Sequence, residues 1–84
     1  MVSTEGQKIT QRFFEAVEAL ISRRDIRGQK TLSNELGIDN SIMCKLKKEP
    51  EIFTLKPEYI HHIVVKYNVS AQWVITGRGK MFTK

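Results

Sequence analysis

The chain has 84 residues, 40% of them hydrophobic, and a formal charge of +5 at pH 7. That length holds one compact domain, 1–84, and the hydrophobic share excludes a disordered chain. No apolar run approaches the roughly 20 residues that cross a bilayer, and a single cysteine, Cys44, forms no internal disulfide, which favours a reducing compartment.

Residues 1–6 are polar, lack a charged-then-apolar signal pattern, and are expected to fray. From Gln7 to about Arg24, Ile9, Phe13, Val17, Leu20 and Ile21 recur at spacings of three and four, which predicts a helix with one apolar face. Ala16 shares that face and Phe14 flanks it, while Arg12, Glu15, Glu18 and Arg23 fall on or near the wet side. Asp25 to Gly28 form a connector with Ile26 pointing inward.

A second helix is predicted from Gln29 to Leu36, started by Gly28 and ended by Gly37, which accepts a left-handed backbone without penalty. A third runs from Asn40 to about Lys48. Asp39 is expected to cap it, its carboxylate accepting the first free amide protons at the positive end of the dipole. Glu49-Pro50 stops it, because a residue before proline avoids the helical region.

Glu51 to Thr54 read as a loop carrying Ile52 and Phe53. A fourth helix ends near Tyr67 with Ile60, Ile63, Val64 and Tyr67 as its stripe. It starts either with Thr54 as cap or with Pro57 in the first helical position. Ser70 caps a short fifth helix, Ala71 to Thr76, and Gly77 ends it. Gly79 then turns the tail so that Met81 and Phe82 can pack back. The predicted fold is all-α, a compact five-helix bundle.

The second and third helices, joined around Gly37, carry a specific set of residues. Leu32, Leu36, Ile38, Met43 and Leu46 face inward, and Ser33 sits where the helices cross closely and only a small side chain fits. Its hydroxyl is expected to bond a carbonyl one turn earlier.

The run Gln29-Lys30-Thr31-Leu32-Ser33-Asn34-Glu35-Leu36-Gly37-Ile38-Asp39-Asn40-Ser41 resembles the helix-turn-helix of the lambda-repressor-like (Cro/CI-type) family. Val69-Ser70-Ala71-Gln72-Trp73-Val74-Ile75-Thr76-Gly77-Arg78-Gly79-Lys80-Met81-Phe82 resembles the end of the DNA-binding domain in bacterial and prophage CI-type repressors. The resemblance extends from the first helix to Phe82. It implies a helix-turn-helix over about 29–48, a homodimer on a near-palindromic DNA operator, transcriptional regulation (commonly repression), and a bacterial cytoplasmic, nucleoid-associated protein. Three departures stand out. Ser33 replaces the family's usual Ala, and Glu49 stands where Gly is frequent. Glu49 and Glu51 also place acid in a loop that approaches phosphate. Many such repressors continue into a further domain, so a chain ending at Lys84 reads as a minimal regulator or an excised domain.

On the third helix Asn40, Ser41, Cys44 and Lys45 are the expected base contacts. Asn40 can bond adenine bidentately, Lys45 can donate to guanine, and Ser41 serves base or phosphate. By the resemblance, Gln29 reaches the DNA backbone and buttresses Asn40. Lys30, Lys47, Lys48 and Lys56 are the other phosphate candidates, supplying affinity rather than sequence information. The bland alternatives are a solvated lysine face and, for Cys44, a small groove-facing residue rather than a redox switch. Adjacent His61 and His62 point about 100° apart on a helix and make a poor metal pair. Trp73, Val74 and Ile75 read mainly as core, with a dimer surface as the alternative. Gly77-Arg78-Gly79-Lys80 lacks the pattern of a phosphate loop. No catalytic spacing appears, so no enzyme, metal, cofactor, membrane or small-molecule substrate is expected. The other functional readings are a protein-interaction module, favoured by Glu49 and Glu51, or an antitoxin with weak DNA binding.

Overall fold

The computed structural model describes residues 4–49 and 55–83, without the side chains of Thr4 and Glu5. Among the described residues there are five helices: α1 Thr4–Ser22, α2 Gln29–Leu36, α3 Asn40–Lys48, α4 Pro57–Tyr67 and α5 Ala71–Thr76. The expectations for Pro50, Glu51, Ile52, Phe53 and Thr54 lie outside the described residues.

Each helix end has a local cause. α1 stops in a Schellman turn: the Asp25 amide reaches back to the Leu20 carbonyl at 2.9 Å and the Arg24 amide to Ile21 at 3.0 Å. Arg24 takes the left-handed conformation there, at φ 64°. α2 ends the same way at Gly37, φ 72°, with Ile38 bonded to the Ser33 carbonyl at 3.0 Å. Pro57 opens α4 in its first turn, where its missing amide proton costs nothing. Ser70 caps α5, its hydroxyl oxygen accepting the Trp73 amide proton at 3.2 Å.

Four expectations are corrected. Ile75, read as core with Trp73 and Val74, stands 49% exposed. α1 begins at Thr4, so Thr4, Glu5 and Gly6 are helical rather than frayed, and the Thr10 hydroxyl bonds the Gly6 carbonyl at 3.0 Å. Asp39 does precede α3 in an extended conformation, but its carboxylate accepts no capping hydrogen bond. Its backbone carbonyl closes the first turn instead, taking the Ile42 amide at 3.0 Å. Arg12 leaves the wet side. Its guanidinium donates to the Val74 carbonyl at 2.7 Å and the Ile75 carbonyl at 2.9 Å, satisfying orphan acceptors at the end of α5.

The core joins all five helices. Phe13, Phe14, Ala16, Val17 and Leu20 of α1 pack with Ile26, Leu32, Met43, Leu46, Tyr59, Ile63, Val69 and Val74. Phe13 and Phe14 meet edge to face with centroids 5.2 Å apart. The tail returns as expected: Val69 and Phe82 form an antiparallel bridge, and the Thr83 amide bonds the Asn68 carbonyl at 2.8 Å. Phe82 also carries the Arg23 guanidinium 4.2 Å above its ring. Among the described residues no helix is long and apolar enough to cross a membrane.

Candidate nucleic-acid interface

Helices α2 and α3 are joined by Gly37, Ile38 and Asp39. Leu32 and Ser33 of α2 and Met43 and Leu46 of α3 are buried between them and the rest of the bundle. With Met43 and Leu46 fixed inward, helical geometry decides what α3 shows to solvent. Ser41, Lys45 and Lys48 recur at spacings of four and three and form one exposed stripe.

Asn40, Cys44 and Lys47 form the next stripe round the cylinder and lean on other helices. The Ser33 hydroxyl lies 3.2 Å from the Gln29 carbonyl, as expected one turn earlier, and 3.3 Å from Asn40 Oδ1. Gln29 Nε2 donates to Cys44 Sγ at 3.5 Å and Asn40 Nδ2 approaches the same sulfur at 3.9 Å. These are long, weak contacts, but they bring Gln29, Ser33, Asn40 and Cys44 into one partly buried polar cluster. Gln29 and Asn40 therefore meet through Cys44 rather than by a direct bond. Asn40 offers two amide hydrogens and two carbonyl lone pairs, and the cluster uses one of each. One of each remains, the complement that an adenine edge takes.

The cations divide. Lys47 pairs with Glu18 of α1 at 3.2 Å, both exposed, while Lys30, Lys45, Lys48 and Lys56 make no ion pair with any described residue. Lys45, Lys47 and Lys48 occupy the last turn of α3 and also complement its dipole, a contribution to the helix itself. Lys56 sits at the N-cap of α4. Glu49 is the exposed C-cap of α3.

The position of α2 is held from behind by α4. Glu35 takes His62 Nε2 at 2.8 Å, the Tyr67 hydroxyl at 2.7 Å and Lys66 Nζ at 3.1 Å. Desolvation pushes the Glu35 carboxyl up, but the hydrogen bonds from His62, Tyr67 and Lys66 and the Lys66 charge together outweigh it and hold the carboxyl below its ordinary value. Burial and the Glu35 carboxylate push the Tyr67 phenol above its ordinary range. His61 is exposed. Among the described residues no cluster of three His, Cys, Asp or Glu could hold a metal ion.

Two residues went unremarked at the sequence level. Glu35 appears there only as part of a helix; the available signal was His62 and Lys66, four apart and so on one face of α4, with the Tyr67 hydroxyl reaching the same carboxylate from the next residue. Ile42 stands 45% exposed on the far flank of the α3 stripe from Asn40. A large apolar side chain among serine and lysines was its signal. No family model, no curated protein and no solved structure matches this chain.

Proposed function

We propose that this chain is a lambda-repressor-like DNA-binding domain that lays α3 in the major groove of a double-stranded operator and regulates transcription there, most simply as a repressor. The single observation that carries this is the division of α3. Met43 and Leu46 anchor its back, while Ser41, Lys45 and Lys48 line its open face beside a braced Asn40. A net charge of +5 favours a polyanionic partner. Asn40, Ser41, Cys44 and Lys45 are proposed at the bases, and Gln29, Lys30, Lys47, Lys48 and Lys56 at the phosphates. Lys47 must exchange Glu18 for phosphate to take part. Binding as a homodimer, as the sequence resemblance implies, requires two half-sites about one helical turn apart. The proposed setting is the bacterial cytoplasm, at the nucleoid.

Selection of bound duplexes from a random library tests this. Enrichment of a paired, near-palindromic half-site is the expected outcome; a library that stays random ends the proposal. The exposed Glu49 favours a second possibility, a protein-interaction module with the same fold. It requires weak binding to every duplex, measured by polarisation at two salt concentrations.

A further inference from the structure

We propose that Ile42 is a specificity-determining residue that reads the 5-methyl group of a thymine in the major groove. This rests on the DNA-binding function proposed above and adds one base class to it.

Ile42 is one of three large hydrophobic side chains that stand exposed among the described residues, and it alone lies on α3. The stripe beside it is Ser41, Lys45 and Lys48, all exposed. Lys45 lies three residues from Ile42, one turn on, so the two share a face. An apolar side chain beside lysines that have no acidic partner among the described residues gains nothing in water. A partner that suits it must be strongly anionic around its edge and must offer a small apolar group within a polar surface. The major groove of DNA fits both terms: phosphates rim it, and its floor carries a single kind of apolar group, the C5-methyl of thymine.

Position also separates Ile42 from the hydrogen-bonding residues. Asn40 lies on the flank of α3 that faces Gln29 and Ser33, whereas Ile42 lies on the opposite flank, at the border of buried Leu46 one turn later. The two side chains therefore address different base pairs. Because uracil lacks this methyl, the same contact discriminates thymine from uracil.

The test uses the full chain and the half-site returned by the library selection. Each thymine is replaced in turn by deoxyuridine, which deletes the methyl and leaves every hydrogen-bonding group in place. In the wild type, one thymine per half-site is expected to lose affinity about fourfold on this replacement, the scale of one buried methyl. In Ile42→Ala the same replacement is expected to change nothing, and Ile42→Val is expected to keep most of the effect. Equal thermal melting of the three proteins establishes that they are folded. A selected half-site with no thymine, or with thymines that all tolerate uracil, overturns the Ile42 inference alone. So does a methyl effect of equal size in Ile42→Ala. A library in which nothing is enriched overturns the DNA-binding function, and this inference falls with it.

Discussion

The hydroxyl of Tyr67 lies between the two carboxylate oxygens of Glu35, 2.7 Å from one and 2.8 Å from the other, and so ties the end of α4 to α2. With His62 and Lys66 on the same carboxylate, three donors from the last two turns of α4 fix the helix that precedes the exposed face of α3. Tyr67→Phe removes the hydroxyl and keeps the ring. It is expected to cost about 1 kcal/mol in urea unfolding, less than is usual for a charged partner because water reaches the site.

The same cluster sets a pH dependence. Glu35 is held below its ordinary value of 4.5 in the folded protein, so its contribution is fully present above that value. It is lost as pH falls through the lower, folded one. Tyr67 has the opposite sign: its folded pKa lies above the ordinary 10.0, so its contribution is present below that value and lost in stronger alkali. Melting temperatures of wild type and Glu35→Gln across the acid range check the first point. The difference between the two proteins is expected to shrink as the carboxyl protonates, and a constant gap would contradict the assignment.

Arg12 and Gly77 are expected to couple. Arg12→Ala abandons the Val74 and Ile75 carbonyls at the end of α5 and is expected to cost about 1.5–3 kcal/mol. Gly77 sits at φ 78°, where a Cβ would stand 3.2 Å from Arg12 Nη1. Gly77→Ala therefore meets backbone strain of about 1–2 kcal/mol and a crowded guanidinium. In the double variant the crowding is gone, so the combined loss should be smaller than the sum of the two. A double-mutant cycle by urea unfolding reads this directly.

Ser33→Ala separates packing from orientation. The side chain is fully buried, so alanine fills nearly the same space. The lost hydroxyl bonds are expected to cost less than about 1.5 kcal/mol. Asn40, however, loses the bond that holds its carbonyl. Operator affinity, measured where both proteins remain fully folded, is expected to drop while the melting temperature falls by no more than about 10 °C, and an affinity unchanged from wild type would show that Asn40 orients itself.

At the proposed interface, Asn40→Ala is expected to cost about 1–3 kcal/mol on the selected operator and to relax preference at one base pair. Lys48→Ala should weaken operator and random duplex alike and lower the salt slope by about one unit. Equal losses on both duplexes for Asn40→Ala, or an unchanged slope for Lys48→Ala, would remove that residue from its role.

Short-range chemistry made most of the fold legible. The expected bounds, Gln29 to Leu36 and Asn40 to about Lys48, agree with α2 and α3, and Gly37 ends α2 in the left-handed conformation expected of it. Periodicity likewise located Leu32, Met43 and Leu46. What local patterns miss is whatever depends on a partner far along the chain. A helical wheel of α1 places Arg12 in water because the wheel contains only α1, whereas its acceptors lie 62 and 63 residues away. Tyr59 fell outside the expected α4 stripe, yet it is buried; its turn-mate Ile63 was the available signal. The Asp39 carboxylate failed as a cap although its type and place were right, because a cap also needs a rotamer that spacing does not specify. At the candidate interface the stripe was legible, but the braces behind it, Glu35 and Cys44, needed three dimensions.

The grip of Arg12 on the far end of α5 has a bearing on biosynthesis. Within this domain α1 is translated before its acceptors, which lie 62 and 63 residues further along the chain, and before the Phe82 ring beneath Arg23. The apolar face of α1 therefore waits for the rest of the domain to be made, and closure of the bundle follows synthesis of α5 rather than accompanying that of α1.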